Sequence, residues 1–267
     1  MSVAITVIHE PTSAEPFVVL SKPAGLPSAP LAVGDACALT ECARLFPETM
    51  NVHGKKAVEG GLVHRIDTST SGLLLVAASQ GFYDHIIAAQ EKGLFVKGYR
   101  SESDINAKNA QMLGGFPTLV KQAQKAADFL YCDKSLSALC GLELSSFFRP
   151  FAKGKKEVRP VLQNSNSAAL KKIGSAEIYS TKIVAADFLG DGSLKVECKI
   201  TNGYRHQVRC HLAWLGLPAR GDRIYNSFCR TQGAALQSAI AGEMRFFATS
   251  LEFPDLFSEK TFCFFLD

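Results

Sequence analysis

No apolar run in this 267-residue chain reaches the ~20 residues that a bilayer-spanning helix requires. The N-terminus, Met1 to Glu10, lacks the basic start and long apolar core of a secretory signal. None of the eight cysteines stands in a Cys-x-x-Cys pair. They read as buried thiols of a reducing cytosol, not as a disulfide frame or a zinc site. No Gly-x-Gly-x-x-Gly opens a helix and no Walker loop is present. His206 and His211 lie five apart, off the i, i+4 spacing of a helical metal site. The chain thus carries none of these local motifs for a nucleotide cofactor or a helical metal site. Internal repeats and low-complexity linkers are also absent.

What is present is an ordinary globular composition, 47% hydrophobic and 20% charged. The net charge of +4 is too mild to predict nucleic acid by itself. Its distribution says more: Lys153-Gly154-Lys155-Lys156-Glu157-Val158-Arg159 is a basic segment preceded by Arg149. Phe17 to Ser21 and Leu73 to Ala78 read as strands, and Ala36 to Phe46 as a short helix. Ser79 is placed to cap a helix from Gly81 to Glu91, closed by Lys92-Gly93. Leu94 to Arg100 returns as a strand. The region 103–173 is harder to read, with a helix over Gln122 to Tyr131 and an extended basic excursion over Phe147 to Val161. Ser175 to Ala185 and the alternating Leu194 to Ile200 are strands joined by an Asp191-Gly192-Ser193 turn. Tyr204 to Leu215 is expected as a helix with Asn202 as N-cap and Gly216 as C-cap. Met244 to Phe253 and Thr261 to Phe265 are closing strands. Hairpin-linked strands with helices inserted between them predict α+β with a mixed, largely antiparallel sheet.

The most informative stretch is Gly61 to Leu75. An apolar strand start runs into His64-Arg65-Ile66-Asp67, then the hydroxyl-rich turn Thr68 to Ser71, Gly72 and a second apolar run. Charges between two buried segments are costly unless paired, which makes Asp67 a site candidate. The plainer alternative is that Asp67 only opens an Asx turn.

Four further blocks accompany it: Lys22-Pro23-Ala24-Gly25, Lys97-Gly98-Tyr99, His206-Gln207-Val208-Arg209 and Gly221-Asp222-Arg223-Ile224-Tyr225. The five blocks, in this order from residue 22 to residue 225, resemble the RluA-type family of RNA pseudouridine synthases. The resemblance implies the pseudouridine synthase fold, a bent sheet in two halves with flanking helices and a central active-site cleft. It implies a cofactor-free, metal-free conversion of uridine to pseudouridine in ribosomal or transfer RNA by a cytoplasmic enzyme, expected as a monomer. About twenty residues precede the Lys-Pro block. That is too few for the S4-like domain many relatives carry, so residues 1–267 are expected to form a single catalytic domain with a variable insertion near 103–173.

By the same resemblance Asp67 is the catalytic carboxylate, Tyr99 lies against the target base, and Arg209 is the salt-bridging arginine that keeps the carboxylate ionised. Arg65 inherits the role of filling the gap left by a flipped base, with His64 turned the other way as a buried loop residue. Lys22 is a phosphate or Asp67-loop contact. Arg205, one helical turn before Arg209, is expected to converge with it on RNA phosphate or behind Asp67. Lys153, Lys155, Lys156 and Arg159 are expected to bind RNA phosphates. Leu194 to Ile200 and Leu212 are expected to floor the base site. The chain departs from the family where Gly203-Tyr204-Arg205-His206-Gln207 carries its arginine one place later than usual. Two alternatives stand beside this reading: a non-catalytic RNA-binding protein of the same fold, and a hydrolase using Asp67 with His64.

Overall fold

The computed structural model describes residues 5–30, 32, 34–231 and 243–266. Among them the chain forms strands β1 (Thr6–His9), β2 (Phe17–Lys22), β3 (Ser71–Ala77), β4 (Val96–Ser103) and β5 (Glu143–Phe151). Strands β6 (Glu157–Val161), β7 (Tyr179–Phe188), β8 (Leu194–Ile200), β9 (Phe246–Pro254) and β10 (Thr261–Phe265) follow. The helices are α1 (Ala38–Leu45), α2 (Gln80–Glu91), α3 (Asn109–Leu113), α4 (Lys121–Asp133), α5 (Ser167–Leu170), α6 (Gln207–Leu215) and α7 (Ser227–Thr231). None of these is long and apolar enough to cross a membrane. The chain divides into two compact units, Met1–Gly98 with Phe247–Asp267, and Tyr99–Phe246.

In the first unit β2 pairs antiparallel with β1 and with β3, the latter from Phe17↔Ala77 to Lys22↔Gly72. Strand β3 meets β9 in parallel through Ser71↔Phe247 and Gly72↔Ala248, and β10 runs antiparallel to β9. Both faces of β3 are covered, which is why Leu73 to Ala77 is apolar without alternation. The core is aromatic: the Phe17 ring stacks on Phe82 at 4.7 Å and meets Phe253 edge-on at 5.3 Å. Helix α2 supplies Phe82, Ile86 and Ala89 from one face. Its Ser79 Oγ accepts from the Phe82 N–H, and Gly93 leaves the helix at φ 72°.

In the second unit β7 and β8 form an antiparallel hairpin whose register shifts between Ile183 and Ala185. Strand β5 pairs antiparallel with both β7 and β6. The expected extended excursion is thus a hairpin of two strands. The turn carries no Asn-Gly signal, and Pro150 and Pro160 lie within the strands, which hid it from the sequence. Helix α6 is buried along its length, and Phe148, Val158, Tyr179, Cys210, Ala213 and Tyr225 form a core cluster.

The start of α6 differs from expectation. Asn202 is not its N-cap: the helix begins at Gln207, after His206 in the left-handed region at φ 58°. The Gln207 side chain holds this entry, accepting from the Tyr204 N–H at 2.9 Å and donating to the Ser180 carbonyl at 2.8 Å. The cysteines also depart from the reading as buried thiols. Cys37, Cys42, Cys198 and Cys210 are buried, but Cys132, Cys140 and Cys263 are exposed.

Candidate active site

Asp67 begins the tight turn that reverses the chain into β3, its carbonyl accepting from the Thr70 N–H at 3.0 Å. The residue is half-buried, while Thr68 and Ser69 are exposed. Two buried groups hold the turn from the opposite loop. The Lys22 ammonium donates to the carbonyls of Pro23 (2.9 Å), Leu26 (2.7 Å) and Thr68 (3.2 Å). Ser28 Oγ donates to the Ile66 carbonyl and accepts from the Ile66 N–H. Burial lowers the Lys22 pKa to about 8, and the Asp67 charge opposes that shift. Lys22 is fully buried, so it is not a phosphate contact; its expected role at the Asp67 loop is where the structure places it.

Arg65 is exposed, with Nη1 3.1 Å from Glu59 Oε1. His64 faces inward: its Nε2 accepts from the Leu75 N–H at 3.2 Å and its ring lies edge-on to Phe95 at 5.3 Å. Burial, helped by the Lys97 charge, lowers the His64 pKa to about 3. The imidazole is neutral at pH 7. Because Nε2 accepts, Nδ1 carries the proton, and that atom is buried without a hydrogen-bond partner among the described residues. Lys97 stands in one of the five sequence blocks without a role that the sequence assigns to it. It is buried, lies 4.5 Å over the Phe95 ring, and has its pKa lowered to about 8 by burial and then by Lys55.

In the second unit Tyr99 is buried on β4, its ring parallel to Phe246 at 5.5 Å and 11°. Arg209, on α6, is 3% exposed and grips Asp222 with two 2.8 Å bonds, Nε to Oδ2 and Nη2 to Oδ1. Asp222 Oδ1 also accepts from the Ile224 and Tyr225 N–H groups. Burial pushes the Asp222 carboxyl up, but the Arg209 charge and these hydrogen bonds outweigh it, and the net shift is downward. The Tyr225 ring lies 5.3 Å beneath the Arg209 guanidinium. The Tyr225 hydroxyl accepts from the Val158 N–H and shares a hydrogen bond with His206 Nδ1 at 3.1 Å. The fifth sequence block, Gly221 to Tyr225, is therefore the support of Arg209. The sequence contained the block without revealing its partner.

The expected RNA contact at Arg159 is corrected. Arg159 is fully buried. It donates to the Gly114 and Val158 carbonyls and to Glu157, and lies between the Phe116 and Phe151 rings at 4.4 and 4.3 Å. It is a core cation and cannot meet a phosphate. Arg205 precedes α6 instead of lying one turn before Arg209 on it, so the helical argument for their convergence fails. Lys153, Lys155 and Lys156 are exposed on the β5–β6 turn. Leu194, Val196, Cys198, Ile200 and Leu212 are buried in this unit.

The family profile described as RNA pseudouridylate synthase matches residues 16–214. The chain is 28% identical over 215 residues to the tRNA pseudouridine(31) synthase of Saccharomyces cerevisiae, covering 80% of this chain and 45% of that protein. It is 26% identical over 225 residues to the ribosomal large subunit pseudouridine synthase D of Zymomonas mobilis, covering 84% and 57%. The chain thus spans about half the length of the curated relatives it matches. Among solved structures, human RNA pseudouridylate synthase domain containing 4 superposes with a TM-score of 0.62 at 17% identity, covering 98% of this chain and 88% of that one. Human RNA pseudouridylate synthase domain containing 1 gives 0.60 at 16%, covering 100% and 84%. These two likenesses establish the fold.

Proposed function

The chain belongs to the RNA pseudouridylate synthase family, and from that membership we propose that it isomerises uridine to pseudouridine within RNA. The observation that carries the reading is Asp67, held on a pinned turn at the mouth of β3 inside the segment that the family profile matches. The N1–C1′ bond breaks, the uracil turns, C5 bonds to C1′, and the C5 proton leaves while N1 gains one. The product has the atoms of the substrate. Asp67 serves either by adding to C1′ or by taking a ribose proton. Tyr99 lies against the base, where a phenol ring can stack and its hydroxyl reach a polar atom. Arg209, its orientation set by Asp222, supplies the fixed positive charge that keeps the catalytic carboxylate ionised. Arg65 fills the stack from which the uridine is drawn. Residues 1–267 act as one catalytic domain with 103–173 as its variable insertion, as a monomer in the cytoplasm.

The relatives are named for transfer RNA and for the large ribosomal subunit. RNA of these two kinds is the proposed substrate class. Purified wild-type protein and Asp67→Asn are to be incubated with RNA carrying tritium at uridine C5. Tritium release by the wild type alone is expected, with RNA binding retained by both. Release by Asp67→Asn would remove that carboxylate from the mechanism. Binding without release by the wild type would favour the non-catalytic RNA-binding reading.

A further inference from the structure

Strands β5 and β6 pair out to Phe151↔Glu157, which leaves residues 152–156 as their connection. Three of these five residues have positive φ: Ala152 at 62°, Gly154 at 75° and Lys155 at 54°. Glycine takes such angles freely, but alanine and lysine do so only when their surroundings hold them there. The holding groups are arginines. The Glu157 carboxylate takes Arg159 Nη2 at 2.8 Å and both terminal nitrogens of Arg230, at 3.0 and 3.2 Å. Arg205 reaches further out, its Nη2 donating to the Lys155 carbonyl at 2.5 Å and to the Glu157 carbonyl at 3.4 Å. The turn itself contains Lys153, Lys155 and Lys156 and no acidic residue, and all three lysines are exposed. The nearest carboxylate in sequence, Glu157, is committed to arginines behind the turn.

We propose that this turn is a preformed hook for RNA phosphates and that Arg205 is its positioning residue, acting through the main chain of Lys155 and Glu157. The inference rests on the RNA reading of the preceding subsection. A flexible lysine-bearing loop would lose conformational freedom on each phosphate it meets; a turn already held in place loses less, so its lysines gain in affinity. The arginine that stands one place late in the His-Gln block thereby acquires a physical role. Outside α6, on the turn that leads into it, the side chain reaches the neighbouring hairpin.

The substitution that separates positioning from charge is Arg205→Lys. Lysine keeps the positive charge, but its ammonium ends one bond short of the Nη2 that donates to both carbonyls. An unmodified transfer RNA transcript with a terminal fluorophore serves as probe, its affinity read by anisotropy from 50 to 300 mM KCl. The Lys153→Ala, Lys155→Ala, Lys156→Ala triple variant is expected to lower the slope of log affinity against log salt by about 2–3, at roughly 0.7–0.9 for each phosphate that is no longer neutralised. Arg205→Lys alone is expected to weaken binding by about 3–10-fold, the range of modest coupling between neighbouring groups. Added to the triple variant it is expected to change nothing further. Wild-type affinity in Arg205→Lys, or an equal loss in both backgrounds, overturns the positioning role. A triple variant with the wild-type slope overturns the hook. If the wild type binds no RNA at any salt concentration, the RNA reading itself falls, and the hook with it.

Discussion

Burial sorts the charged side chains of this protein into those that hold the fold and those that meet solvent. Arg159 and Arg209 look alike in sequence to Arg65 and Arg205, yet the first two are enclosed and the second two are exposed. Arg209 and Asp222 form a buried pair, so removing the Asp222 charge takes from Arg209 the ion pair that its two 2.8 Å bonds make. Asp222→Asn is expected to cost about 3–5 kcal/mol of unfolding free energy, read by urea denaturation at pH 7. A loss below about 1 kcal/mol would show that the pair is solvated enough to part with a member. The sign of its pH dependence follows from the lowered Asp222 pKa. The folded state holds its proton less tightly than the unfolded chain, so this contribution is present above the ordinary carboxylate range and is lost as pH falls through it. His64 and His211 act in another window. Burial lowers both to about 3, and His211 is bracketed by Ser146 and Thr181 hydroxyls at 2.9 Å. Below about pH 6.5 the unfolded chain takes up protons that these folded imidazoles refuse. Stability is therefore expected to fall by about 1.4 kcal/mol per pH unit for each histidine, with His211→Gln halving that slope. Equal slopes in wild type and variant between pH 6 and 5 would refute this assignment.

The elements were legible where one local pattern set them. Strand β8 alternates cleanly, β10 is a short aromatic run, and α2 carries both its cap and its stop, so each lies within a residue or so of the sequence reading. The entry of α6 and the β5–β6 hairpin were not legible, because contacts distant in sequence decide them: Gln207 to Ser180, and Arg205 to Lys155. Gly72 is a case where the requirement is visible only in the pairing. It has φ 126°, and a Cβ there would sit 2.1 Å from the Ala248 carbonyl oxygen, where β3 meets β9. Gly72→Ala is expected to cost about 3–5 kcal/mol, combining backbone strain with overpacking against main chain that has little room to move. Thermal and urea denaturation of that variant would decide it; a change under about 1 kcal/mol means β9 moves aside freely.

At the scale of the whole molecule, a net charge of +4 does not select an RNA. Selectivity must come from placed groups, and cells name the target most directly. Pseudouridine mapping of total RNA is expected to show a uridine that loses its mark both in cells without the gene and in cells carrying only Asp67→Asn. A mark that persists with Asp67→Asn would mean that this carboxylate is dispensable there.

The family can be read from the order of amino acids alone, and the same order nominates Asp67, Tyr99 and Arg209 as candidate residues. These residues stand in short blocks whose meaning lies in side-chain identity and adjacent positions, and such information is carried along the chain. Folding decided what each charge is for. Of the two roles open to Lys22 it selected the buried clamp of the Asp67 loop, and it made Arg159 a core cation packed against phenylalanine rings. It also gave Arg209 its partner in Asp222 and Arg205 its place beneath the lysine turn. Whether a cation is solvated, paired or enclosed depends on groups brought together from tens of residues away, and no local pattern in the chain encodes that environment.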